Sequence, residues 1–282
     1  MGTRAREINI ILKAIEIESE KYNLRLNKGK CFYVGMNGTA NIHFKDGTKI
    51  KKADSVTYLG GTITEDSNRN AEITSRLTKA LTTCHKLKLF WRKTDADIHW
   101  KMFVYNAVII SQITYGLNTL NITPGIKNRL NSFHMRGLRY MLGIDHSYYS
   151  HETNDSVLEK ANLVLNKAQN PNLSWQQFRQ QQDDDGQEIK TIRLVGDIIL
   201  DRQKTLLGHL LRRDDSDLMR HVAFDDELKR PHQLYKKTGH PRASWVDDNL
   251  ERVYSNIFND AWDQTDPIKR QDLINAATEY KF

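Results

Sequence analysis

Cysteine is scarce in this sequence: Cys31 and Cys84 are the only two among 282 residues. Two thiols exclude a disulfide-stapled scaffold and a cysteine-rich zinc module, and they fit a reducing, intracellular setting. Proline is also rare, with 5, and glycine stands at 15, which excludes collagen-like and Pro/Gly-rich low-complexity chains. Long apolar runs are missing. Ala107, Val108, Ile109 and Ile110 make one of the longest, far short of the roughly 18 residues of a membrane span. No G-x-S-x-G elbow, P-loop or dinucleotide fingerprint occurs, and Gly60-Gly61 alone does not make one. The ten histidines are scattered. His146 and His151 have no cysteine or carboxylate cluster at zinc spacing, so the histidines read as surface side chains and no metal or cofactor is expected. The five tryptophans read as core positions.

What is present is a charged, helix-leaning composition, 39% hydrophobic and 27% charged, long enough for two domains or one with an appendage. The net charge of +7 hides an asymmetry. Residues 1–143 hold 23 Lys and Arg against 11 Asp and Glu, +12, whereas residues 144–282 hold 19 against 24, −5. Contact with a polyanion is expected in the first half, the alternative being a face that is merely solvated.

Hydrophobic periodicity orders the chain. Ile8, Ile11, Leu12, Ile15 and Tyr22 predict a helix over 5–25, the first structural helix rather than a targeting leader. Short strands follow at 31–34, at 41–44 and 48–51 around the turn Asp46-Gly47, and at 56–59 and 62–64 around Gly60-Gly61. Helices are then expected over 69–91, 95–110, 124–142, 152–168, 190–213 and from Trp245 onward. Thr123-Pro124 supplies a cap and a first-turn proline for the third of these. On the 69–91 helix, Arg76, Lys79 and Lys86, with Lys93 beyond it, form a basic stripe opposite the apolar one. The polar run from Gln176 to Glu188, with Asp183, Asp184 and Asp185, reads as an exposed loop. The expected fold class is α+β and predominantly helical: a small antiparallel β region in 1–64, a basic helical bundle in 65–145, and a mainly helical region in 146–282 with the loop near 180–188.

Six segments in this order resemble the reverse transcriptases of non-long-terminal-repeat (LINE-like) retrotransposons. Tyr22 through Cys31 is similar to the family's helix-to-strand passage "G-L-x-x-N-x-x-K-C/T", and Val56 through Ile63 to its "F/Y-L-G-x-x-I" primer-grip strand pair. The run from Glu72 to Trp91 resembles the first thumb helix. Tyr115-Gly116 with Phe133 through Ile144 matches "F-x-x-x-x-L-R-x-I-L-G-I". Leu207 through Arg212, and Gly239 through Asp248, resemble "L-G-H-V-x-R" and "G-R-P-x-x-x-W-x-D".

The resemblance covers residues 20–248, the end of the palm and the thumb. It places the family's metal-binding aspartates upstream of Tyr22, where 21 residues stand, and the sequence holds no run of Tyr or Phe, then Ala, then Asp-Asp in that order. Two-metal phosphoryl chemistry needs carboxylates around ions about 4 Å apart. A non-catalytic protein is therefore expected, one that holds RNA or an RNA–DNA duplex by its backbone, with aromatic stacking on an unpaired base, as a subunit of a ribonucleoprotein. The resemblance assigns contact to Lys28, Lys30, Tyr58, Gly60, Gly61, Arg76, Lys79, Lys86, Lys93, Arg136 and Arg139. It also implies a protein partner over the 5–25 helix and the 30–63 strands, and no membrane. The alternatives are a protein-only structural subunit, one part of a split reverse transcriptase, and the remnant of a decayed element.

Overall fold

A computed structural model describes residues 4–35, 39–66, 68–166, 174–185, 190–224, 227–228, 244–280 and 282. The chain is α+β and predominantly helical, 64% helix with two sheets of two short strands each. It divides into two compact units, Met1–Ser75 and Arg76–Phe282.

In the first unit, α1 (Ala5–Glu20) buries none of its side chains. Polar bonds tie it to the segment that follows. Asn9 donates from Nδ2 to the Asn41 carbonyl at 3.0 Å and accepts at Oδ1 from the His43 amide at 3.1 Å. The Lys45 amide donates to Glu16 at 2.7 Å. The hairpin expected at 41–51 closes through a single antiparallel bridge, His43 to Lys49, flanked by Phe44 N–H to Thr48 and Ile50 N–H to Ile42. Alternation explains it: Ile42 and Phe44 point inward and are almost wholly buried, while His43 and Lys45 face water. β1 (Phe32–Tyr33) and β2 (Lys51–Lys52) pair in parallel, a departure from the all-antiparallel expectation.

β3 (Ser55–Tyr58) and β4 (Gly61–Thr64) form an antiparallel hairpin in the register Ser55↔Thr64 to Tyr58↔Gly61. The two turn residues, Leu59 and Gly60, both have positive φ, 47° and 78°. A right-twisted two-residue hairpin demands this, and glycine meets it without the Cβ strain that leucine carries.

α2 (Arg69–Lys86) starts where Asn68 Oδ1 accepts from the amides of Asn70 and Ala71. The helix expected to run through 91 stops at Leu87 and resumes as α3 (Lys88–Lys93). The break lets Trp91 turn inward, where its indole N–H donates to the Cys84 carbonyl at 3.1 Å. The 95–110 helix resolves into α4 (Ile98–Val104), a π-helical turn at Tyr105–Ile110 and α5 (Ser111–Thr114). α6 (Pro124–Leu142) begins and ends where expected: Thr123 caps the Ile126 amide, and Gly143, with φ 69°, terminates it.

α7 (Ser147–Ser150), α8 (Asn154–Leu165), α9 (Trp175–Asp185), α10 (Val195–Leu211), α11 (Leu218–Ala223), α12 (Trp245–Phe258) and α13 (Pro267–Tyr280) complete the second unit. α9 overturns the expected loop over 180–185. A reciprocal capping box at Ser174 and Gln177 starts the helix, and Gln and Arg are good helix formers. Residues 186–188 lie outside the described ones, as do the expected elements around Tyr235 to Arg242. α10 packs on α6, α12 and α13. Leu207, Leu211, Phe224, Leu250, Val253 and Leu273 form the core at that end.

Candidate nucleic-acid interface

Carboxylates almost vanish from one stretch of the second unit. Between residues 73 and 144 only Asp95 and Asp97 are acidic, against 11 lysines and arginines. Helix geometry sorts those cations. Lys79 and Lys86, seven residues apart on α2, share one exposed face and make no ion pair among the described residues. Arg136 on α6, Lys88, Arg92 and Lys93 on α3 are likewise exposed and, among the described residues, without an ion pair. These positions carry uncompensated charge into solvent, which is the requirement for contact with phosphates.

Two expected contact residues are turned inward. Arg76 lies three residues after Ile73 and four before Ala80, both wholly buried, so at 100° per residue it sits about 60° from Ile73 rather than opposite it. Its guanidinium rests over the Tyr115 ring, 5.4 Å from the centroid, and the residue is 7% exposed. Arg139 is equally buried. It donates from Nη2 to the Glu152 carbonyl at 2.8 Å and to Asn154 Oδ1 at 3.3 Å, fastening α6 to the start of α8. Neither is placed to meet a phosphate.

The remaining expected residues belong to the first unit. Lys28 is bonded to Asp46 and lies 5.3 Å from the centre of the Phe44 ring. That bond, with the Thr48 amide, holds the Asp46 carboxyl down at about 2. Other cations of this unit are matched by nearby carboxylates too, Lys45 by Glu20 and Lys52 by Glu65. Lys30 is exposed and has no ion pair among the described residues; Tyr58, Gly60 and Gly61 lie at the tip of the β3–β4 hairpin, with Tyr58 well exposed.

Behind the exposed cations of the second unit lies a feature that periodicity did not reveal. A cavity of about 190 Å³ opens between α2, α3 and α6, walled by the rings of Trp91, Tyr105, Phe133 and Tyr140, with His85 and Arg136 among its lining. Arg92 adds a second guanidinium beside it, 4.5 Å from the centre of the Tyr140 ring. Gly137 makes room for the wall, since a Cβ there would lie 2.4 Å from the Tyr105 hydroxyl. Cys84 also lines the cavity, and burial pushes its thiol up to about 11, so it is an unreactive wall.

Tyr105 leads inward from the cavity to His134, its hydroxyl 3.3 Å from Nδ1. His134 is 1% exposed and its Nε2 has no partner, so it corrects the expectation that the histidines are surface residues. Burial depresses its pKa to about 4, leaving a neutral imidazole. Trp100 corrects the tryptophan expectation in the other direction. It is 56% exposed and stacks on Phe103, because those two residues take the solvent side of α4 while Met102 and Tyr105 take the buried side.

Among the described residues no three His, Cys, Asp or Glu side chains are grouped to hold a metal ion, and no helix is long and apolar enough to cross a membrane. No protein-family model matches the chain, and neither a curated protein nor a solved structure matches it.

Proposed function

We propose that this chain is a nucleic-acid-binding protein related to the thumb of a LINE-like reverse transcriptase, holding the phosphate backbone of RNA or an RNA–DNA duplex through residues 76–144. It acts in binding, as a subunit of a ribonucleoprotein, rather than in polymer synthesis. One observation carries the reading: a stretch with 11 cations and two carboxylates keeps Lys79, Lys86, Lys88, Arg92, Lys93 and Arg136 exposed and, among the described residues, without an ion pair. In the first unit Lys28, Lys45 and Lys52 are each paired with a carboxylate. Within 76–144, Lys127 is paired with Asp197 at 2.8 Å, while the six exposed cations have too few acids near them in sequence to be matched in the same way.

The test is a salt titration. Affinity for a blunt RNA duplex and for an RNA–DNA hybrid falls linearly on a log–log plot against salt, with a slope of about −0.9 per phosphate contacted for a DNA-like charge density. Salt-insensitive or undetectable binding to both overturns the proposal.

A protein contact is favoured separately by the first unit. Ile10, Ile11 and Ile15 of α1 are 60%, 54% and 45% exposed on a helix that buries nothing. Apolar side chains presented together in this way commonly meet another protein.

A further inference from the structure

The cavity walled by Trp91, Tyr105, Phe133 and Tyr140 has no part in gripping a phosphate backbone. Phosphates want donors and positive charge, whereas four aromatic rings and the Leu81 side chain make the lining mostly apolar. At about 190 Å³ it is smaller than the roughly 300–1,000 Å³ of ordinary cofactor sites, which limits it to one flat ring system. Charge narrows the occupant further. The helices that build the cavity, α2 from residue 73 onward, α3 and α6, hold no Asp or Glu, while Arg136 lines the cavity and Arg92 lies on the Tyr140 ring. Aromatic walls with a cationic edge match an aromatic ring joined to an anion, the make-up of a nucleotide.

We infer that this cavity receives one unpaired nucleobase, stacked against its aromatic wall, while Arg136 and Arg92 meet the adjoining phosphates. The inference deepens the backbone-binding reading and rests on it for the cationic surround. It assigns the chain a preference for a duplex end, bulge or overhang over a continuous duplex.

The full chain is titrated with three fluorescent RNA probes: a blunt duplex, the same duplex with a three-nucleotide unpaired overhang, and that overhang made abasic. The abasic probe has the same phosphates, so it separates the base from the charge. Expected is a gain of about tenfold for the overhang with bases over the abasic one, the size of base–aromatic stacking. Leu81→Trp fills the cavity, abolishes that gain and leaves blunt-duplex affinity unchanged.

Equal affinity for the base-bearing and abasic overhangs on the native chain overturns the inference whether or not the variant folds. A gain that survives in a folded Leu81→Trp chain, checked by circular dichroism, overturns the assignment to this cavity. Binding of the base-bearing overhang alone upholds the cavity and defeats the backbone reading. Binding of the blunt duplex with no contribution from bases does the reverse, and binding of no probe overturns both.

Discussion

Arginine does opposite work in two parts of the second unit. Toward its C-terminal end, guanidinium groups turn inward onto backbone carbonyls. Arg212 donates to the Ala277 carbonyl at 2.7 Å, Arg220 to those of Leu211 and Arg213 at 2.9 and 3.0 Å, and Arg252 to that of Leu200 at 3.3 Å. These groups satisfy helix ends and joints that water does not reach. Between residues 76 and 144, Arg92 and Arg136 instead face solvent, as do Lys79, Lys86, Lys88 and Lys93; Arg139, turned onto the Glu152 carbonyl, behaves like the C-terminal group, and Arg76 is buried over the Tyr115 ring. The number of basic residues therefore says little about binding. What matters is whether a guanidinium already has a carbonyl.

This division makes separable predictions. The largest effect is expected from Lys79→Glu, Lys86→Glu and Arg136→Glu together, which should lower duplex affinity on the order of a thousandfold at low salt. Circular dichroism should remain that of the native chain; an unchanged affinity would show that these cations are only solvated.

A buried base gives the next effect. The His134 pKa is about 4 in the folded chain, below the 6.5 of an unperturbed histidine. The unfolded state therefore binds the extra proton first on acidification. Stability is complete above pH 6.5 and falls toward pH 4 by about 3 kcal/mol. In denaturant unfolding, His134→Gln should lack this component of the pH slope between 6.5 and 5, above the range of the depressed carboxyls such as Asp46 and Glu152. Identical slopes for the two chains would refute the assignment.

Arg252→Gln should cost about 2 kcal/mol of unfolding free energy, since the Leu200 carbonyl and Gln203 lose a donor. Its folded chain should bind duplex with the native salt slope, which is the behaviour that separates it from Arg136. Least affected is the hairpin tip, where Leu59→Gly relieves a leucine at φ 47° and should stabilise the first unit by roughly 1 kcal/mol. A lowered unfolding midpoint would mean that the leucine side chain has contacts worth more than the strain.

Much of the scaffold is readable from residue order. The periodicity of Ile126, Leu130, Phe133, Leu138 and Met141, with Thr123-Pro124 before and Gly143 after, defines α6 without reference to any other element. The hairpin at 55–64 follows from Gly60 in the turn and the short extended runs beside it. The α9 helix was equally written, in the Ser174–Gln177 capping box, but its glutamines and aspartates read first as a loop.

The candidate site was legible only in part. Lys79 and Lys86 are placed by the 100° step of α2 alone, whereas Arg136 and Arg139 stand three apart on one helix and part company because α8 covers the second. No spacing rule brings Trp91, Tyr105, Phe133 and Tyr140 to one cavity. They come from three separate helical segments, and the break at Leu87, the π-turn at Tyr105 and the missing side chain at Gly137 are all needed to gather them.

The amino-acid order by itself determined α6 with its caps, the 55–64 hairpin and the concentration of positive charge in the first half, because each depends on neighbours a few residues apart. Which cations stay in water, which histidine is buried and neutral, and where aromatic walls enclose a space were decided by packing. Burial is a property of what lies against a side chain, and those neighbours come from distant parts of the chain.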